Sequence, residues 1–346
     1  MIRIRRLEPG DAPAHQRWDD FGAGCPQASF FHRAAWQGVI AGVFGHRTHF
    51  LFAEDAAGAV VGVLPLAQVR SWLFGHALVG LPFASYGGIA AGTEAARAAL
   101  LAEACALAGT LGVDHLELRN TEPQQAGWPT QQLYVAFRMP IPAVLDEKML
   151  CIPQKRRNMV RKAVKLGLHA VPDDSVESFF PVFAANARDH GTPALPKKYF
   201  EVLKSTFGAD CSIMSIHNAS GRCISSIMCF LHKGEVLAYY AGELPEARAA
   251  AANDLKYWEV MKWAASRGCN RFDIGRSKRG TGSYEFKKLW GFEPVPLHYQ
   301  YALTRRKSMP QNNPTNPKYR LLIKAWQRLP LPVANRVGPL LVRSLG

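Results

Sequence analysis

The first 145 residues hold no lysine, and residues 305–346 hold no aspartate or glutamate. Charge is therefore unevenly placed. Residues 1–145 are near neutral, with ten Arg against eleven acids, whereas residues 146–346 carry 32 basic against 16 acidic side chains. The second half is where an anion is met. No stretch reaches the ~18 uninterrupted apolar residues of a membrane span, and "MIRIRRLEPGD" has no apolar run behind its basic residues. A cytoplasmic protein without a signal segment is the expectation. Seven cysteines form no C-x-x-C and stand at no metal-finger spacing from a histidine, which predicts reduced, buried thiols. His190, His217, His232 and His298 also lack ligand spacing, so no metal is expected.

What is present is ordinary for a globular protein: 346 residues, 48% hydrophobic and 20% charged, enough for two domains. The chain also repeats itself. Ala108, Gly112, Leu116, Glu117 and Leu118 align at a constant spacing of 156 with Ala264, Gly268, Phe272, Asp273 and Ile274. Upstream of each copy, two apolar strands are joined by a turn with a glycine, Gly58 in one and Gly221 in the other. This predicts duplicated α/β domains at 1–145 and 146–304, followed by a basic tail at 305–346. "NTEPQQAGWPTQQ" is the expected loop between halves and "NNPTNPKYR" the linker to the tail. Periodicity predicts helices at 34–43, 94–111, 155–166, 176–189, 197–207 and 254–267, and strands at 49–53, 60–69, 211–217, 223–232, 236–241 and 271–274.

The stretch "DIGRSKRGTGSYEFKKLWGF" (273–292) concentrates the chemistry. A strand enters a turn containing Gly280 and Gly282, and Ser283 stands where the N-cap of the helix beginning at Tyr284 is expected. The free N–H groups of such a helix start face an anion, and Arg276, Lys278 and Arg279 suit phosphate oxygens. An ordinary strand-to-helix turn has the same sequence character. Arg157 and Arg161 lie on a basic helix whose bland reading is a solvated face. Tyr239 and Tyr240, at the end of a strand, either line a cleft or fill the core. Asp273 matches Glu117 in the repeat, which argues first for structure; it is also a candidate for orienting Arg276 or accepting a proton. In the tail, Tyr319, Leu322, Ile323, Trp326 and Leu329 recur at helical spacing, with Lys318, Lys324 and Arg328 off the stripe. Such a helix either docks on an anionic membrane or packs on the second domain.

"YEFKKLWGFEP" resembles the closing motif of GNAT acyltransferases, where a helix follows a loop that cradles a pyrophosphate. Two such halves in one chain resemble the Fem transferases, which pass an aminoacyl group from a transfer RNA to an amine of a cell-wall precursor. "RNMVRKAVKLGL" is similar to the Fem helix R-N-x-I-R-x-A-x-K-x-G-V, and Phe286-Lys287 to its Phe-Lys pair. The FemAB-related proteins of exosortase/PEP-CTERM sorting systems, found with exopolysaccharide gene clusters, are more similar still, through "GTPALPKKYFEVL", "AAANDLKYWEVMKWAASRGC" and the tail. The resemblance implies two tandem GNAT-like domains, each a mixed central sheet flanked by helices, with the site in the second. It implies that Lys287 stabilises the oxyanion formed when an amine attacks an activated ester, and that Arg157 and Arg161 hold the phosphates of a nucleotide-linked or lipid-linked acceptor. Ser283, Tyr284 and Phe286 fall in the same expected substrate site. No permanently bound cofactor is implied; the donor is aminoacyl-tRNA or acyl-CoA. Ser277 stands where the coenzyme A loop has Gln or Arg, and Lys287 where acetyltransferases often have Tyr. Both departures point away from coenzyme A. The alternatives are an acyl-CoA-dependent N-acetyltransferase and a non-catalytic module that binds an anionic glycan or lipid carrier.

Overall fold

The computed structural model describes residues 1–71, 75–146, 148–173, 175–310 and 320–344. They fall into two compact units, one of residues 1–133 with 296–310 and 343–344, the other of residues 134–295 with 320–342. The first contains β1 (Arg3–Arg6), α1 (Ala12–Gly24), α2 (Trp36–Phe44), β2 (Arg47–Glu54), β3 (Val60–Ser71), β4 (Gly75–Gly80), β5 (Ala90–Ala91), α3 (Glu94–Leu111), β6 (His115–Asn120) and β7 (Thr130–Gln131). The chain then passes through β8 (Tyr134–Pro140), α4 (Gln154–Lys165), β9 (His169–Asp173), α5 (Val176–Asp189), α6 (Lys197–Phe207), β10 (Cys211–His217), β11 (Cys223–His232) and β12 (Glu235–Glu243). It closes with α7 (Pro245–Ala249), α8 (Ala252–Ser266), β13 (Arg271–Lys278), α9 (Gly282–Leu289), β14 (Glu293–Pro296), β15 (His298–Leu303), α10 (Arg320–Gln327) and α11 (Leu331–Val342).

The two sheets have one plan. The first runs β1-β2-β3-β4-β6-β15-β7, with β5 beside β3, and the second, read from its far edge, runs β9-β10-β11-β12-β13-β8-β14. Each has a parallel pair at the same place, β4/β6 and β12/β13, among antiparallel neighbours. The 156-residue spacing holds in three dimensions. β6 begins at His115 and β13 at Arg271, and the helices before them end on left-handed glycines, Gly112 at φ 60° and Gly268 at φ 77°. Both hairpin turns also carry their glycine at positive φ, Gly58 and Gly221.

The compact units do not follow the expected boundaries at 145 and 304. The slot beside β6 is taken by β15, paired from His298 with Asn120 to Leu303 with His115, while β8 pairs with β13 in the second sheet. Each unit thus takes one strand from beyond its own stretch of sequence. β8 is held there by burial: Val135, Phe137 and Met139 join the second core with Phe272, Ile274, Trp258 and Met261. At ~1.5–3 kcal/mol per fully buried large apolar side chain, that outweighs the closure of a long loop.

The tail is not a separate element. Ile323 on α10 sits against Gly191, Trp326 against Gly338 of α11, and Gln327 donates to the Asp189 carbonyl. Lys318, Tyr319 and most of the expected linker lie outside the described residues. Among the described residues no helix is long and apolar enough to cross a membrane.

Candidate active site

The β12/β13 ladder lasts only from Glu235/Arg271 to Leu237/Asp273, after which the strands part. Both are bulged just beyond that point. On β12 the register against β11 shifts between Met228 and Cys229, which leaves Tyr239 as the extra residue. On β13 the register against β8 shifts between Asp273 and Arg276, with Gly275 at φ 69° as the left-handed residue such a bend needs.

Two side chains fix the β13 bulge. Asp273, fully buried, accepts from the Gly275 N–H at 2.6 Å and from Arg138 Nε at 2.9 Å. From the other side, Lys287 on α9 donates to the carbonyls of Ile274, Gly275 and Arg276 at 2.6, 3.1 and 3.2 Å. An ammonium has three N–H donors, and all three are engaged. Its Nζ also lies 5.4 Å from the centre of the Phe137 ring. Burial strips the Lys287 ammonium of water and pulls it down to about 8, against the raising influence of Asp273.

The turn from β13 to α9 follows directly. The N-cap of α9 is Thr281 and not Ser283: the Thr281 hydroxyl accepts from the Tyr284 N–H, and Ser283 lies inside the first turn. Both residues are good caps, and only Thr281 has the extended backbone of a cap, φ −98° and ψ 159°. The Ser283 hydroxyl instead meets that of Ser277 at 2.9 Å. Gly280 and Gly282 have open space around them. Arg279 is exposed, Lys278 half-buried, and the Arg276 guanidinium stacks 4.5 Å over Tyr134.

Residues 154–288 match the family model for the acetyltransferase (GNAT) domain. That match covers less than half of the chain. The UDP-N-acetylmuramoylpentapeptide-lysine N(6)-alanyltransferase of Weissella viridescens is 21% identical over 126 residues, which is 36% of this chain and 37% of that protein, so little over a third of the relative's length is spanned. Among solved structures, that of FemX superposes with TM-score 0.67 at 14% identity, covering 93% of this chain and 100% of the other. A tandem GNAT protein from the clavulanic acid biosynthesis pathway gives 0.58 at 13%, covering 89% and 100%. At such identities the likeness is one of fold: two GNAT-like domains in tandem.

The remaining expected site residues divide by location. Tyr239 is half-buried, its ring against Gly275. Tyr240 is buried, hydrogen-bonded to the Tyr199 hydroxyl at 2.8 Å and packed on Phe200, which is the core-packing alternative; burial raises its phenol well above the usual range. Tyr284 packs edge-on to Phe137 and Phe286 against Tyr257, so both support the core of the second unit. Arg161 is exposed and lines a groove of ≈ 600 Å³ between α4 and α8 with buried Val160 and Trp258, exposed Val164, the cations Lys165 and Lys262, and the acids Asp146 and Glu259, the last paired with Lys262 at 2.7 Å. Arg157 is half-buried, its Nε without a hydrogen-bond partner among the described residues.

Three supporting groups escaped the sequence reading. Arg156, buried, donates to Asp254 Oδ1 at 3.0 Å; Trp290 Nε1 shares that oxygen at 3.0 Å, and the guanidinium lies over Phe286. Burial raises the Asp254 carboxyl, with Arg156 opposing. Removing one partner of such a buried pair costs ~3–5 kcal/mol. A signal existed: Arg156, Val160 and Ala163 share one helix face, the buried one. Arg138 and Tyr134 were missed because β8 was assigned to the first half.

In the first unit the equivalent strands part after Val79/Glu117, but neither is bulged there. Instead the chain after β4 folds back. Gly87 N bonds the Arg119 carbonyl, the counterpart of the Gly275 carbonyl that Lys287 holds. Arg119 Nη1 ties down the Leu81 and Ala84 carbonyls, and Gly80 and Gly87 approach so closely that a Cβ on either would overlap the other's backbone.

Proposed function

We propose that the protein transfers an acyl group, in the manner of the Fem enzymes an aminoacyl group, to an amine of an envelope or exopolysaccharide-related acceptor. What carries this reading is the contrast between the two parted strand pairs. In the first unit packed backbone fills the gap and takes the Arg119 carbonyl; in the second a lysine side chain takes the matching Gly275 carbonyl, and a side chain can yield. The start of α9 adds anion-binding capacity. Thr281 takes the Tyr284 N–H, while those of Gly282 and Ser283 have no acceptor among the described residues, beside Lys278 and Arg279.

In the proposed reaction the acceptor nitrogen forms a bond to the acyl carbon and the carbonyl oxygen becomes an oxyanion. Collapse breaks the bond to the donor oxygen or sulfur, and the proton lost by the amine leaves with the donor. Lys287 supplies positive charge where the oxyanion develops, by exchanging its longest bond, 3.2 Å to the Arg276 carbonyl, for the new oxygen. Asp273 is the positioning residue that sets the bulge, because its carboxylate is already held by Arg138 and Gly275. Arg161, with Lys165, faces the phosphate of a nucleotide-linked or lipid-linked acceptor. The Fem-like motifs and the alanyltransferase relative favour aminoacyl-tRNA as donor, and the exosortase/PEP-CTERM-like stretches favour an exopolysaccharide setting.

The rival donor is acyl-CoA, favoured by the acetyltransferase description of the matched domain. Ser277, buried and bonded to Ser283, stands against it. Filter binding of aminoacyl-tRNA across a salt series, beside calorimetry with coenzyme A, distinguishes the two. The expected outcome is RNA binding that weakens steeply with salt and weak coenzyme A binding. Tight, stoichiometric coenzyme A binding would replace the proposed donor, and binding of neither would leave a non-catalytic module.

A further inference from the structure

A surface helix normally turns its apolar stripe inward and its polar residues to water. α10 and α11 break that rule. On α10, Ile323 and Trp326 face inward, yet Leu321 and Leu322 are 80% and 66% exposed. On α11 the inward stripe is Ala334, Gly338 and Val342, while Val333, Val337 and Leu340 form a second apolar stripe that faces solvent, with Leu340 71% exposed. Lys324, Arg328 and Arg336 are exposed among these residues, and no acid occurs anywhere in 305–346.

We propose that α10 and α11 seat the protein on an anionic lipid bilayer, with the outer leucines and valines in the interface and the cations at the headgroups. Two features choose a membrane over the other occupants of an apolar face. A second copy of this chain would bring the same cations together with no carboxylate from this segment to offset them. An acidic protein partner would satisfy the charge, but the apolar residues are spread over two helices joined by a three-residue turn, an arrangement suited to a plane rather than a groove. The inference is independent of the donor and acceptor, since lipid binding is read without any transfer.

The test is co-sedimentation of the full chain with phosphatidylglycerol/phosphatidylcholine vesicles and with pure phosphatidylcholine vesicles, at low and high salt, for wild type and for Leu322→Glu/Leu340→Glu. Both substitutions are at exposed positions, so an unchanged melting temperature shows the fold intact. The expected result is binding to anionic vesicles only, reduced by salt, and at least tenfold weaker in the variant. Equal binding by variant and wild type, or no binding of wild type to anionic vesicles, overturns the proposal. A dimer in sedimentation velocity that the variant dissociates, without vesicle binding, also overturns it and makes the face a contact between copies.

Discussion

Lys287 holds a positive charge where the surroundings disfavour one. Burial lowers it from the usual 10.5 to about 8, while three carbonyls and nearby Asp273 favour the ammonium. The fold therefore prefers the neutral amine relative to the unfolded chain. This lysine's contribution to stability is present above pH 10.5 and is lost as pH falls towards 8, so at neutral pH the charge is retained at the expense of stability. If the charge serves the transition state, kcat/KM should fall as pH rises through about 8, and Lys287→Met should lower kcat by ~10²-fold and abolish that limb. Lys287→Arg, ionised throughout, should move the limb upward whatever its rate. A pH profile identical in wild type and Lys287→Met would remove Lys287 from the chemistry. The sequence carried Lys287 itself, through its place after Phe286 and before the Gly-Phe pair. It did not carry the partners, because the carbonyls of β13 are presented only once a bulge, set by Arg138 from far upstream, has formed.

At the level of elements, two glycines with different physics share the β13–α9 segment. Gly275 sits at φ 69°, where any other residue is strained by ~1–2 kcal/mol, and it carries the bulge. Gly282 has ordinary helical backbone and no atom within 4 Å of where a Cβ would stand, so nothing in the fold demands glycine there. Gly275→Ala should lower thermal stability and donor affinity together. Gly282→Ala should leave the melting temperature unchanged or slightly raised, because alanine is the better helix former, while donor affinity drops as the methyl occupies the approach to the helix N–H groups. Unchanged donor affinity in Gly282→Ala, measured by calorimetry or filter binding, would move the anion away from α9. Elements set by local pattern were legible to the residue: α3, α5, α6, β10 and β11 run as periodicity predicts. The cap of α9 was not, because Thr281 and Ser283 are both good caps two residues apart and the backbone entering the turn decides between them.

In the molecule as a whole, one plan is used twice and only one copy keeps its parted strands clear of its own backbone. The duplication was legible as a constant 156-residue spacing, since it rests on helix ends and strand starts that are local. The exchange of β8 and β15 was not. Those strands pair with partners more than 130 residues away, as Arg138 with Asp273 and Tyr299 with Arg119, and no local pattern encodes such a register. The closure of the first unit by Leu81–Gly88 was equally hidden, because it depends on glycine backbones meeting across a gap. That asymmetry decides which unit takes the donor. Hydrogen exchange of the full chain, with and without saturating aminoacyl-tRNA, reads it directly without an acceptor. The prediction is slowed exchange in peptides covering 274–284 and unchanged exchange in 81–88 and 118–122; protection of 81–88, or none in 274–284 at saturation, would contradict it.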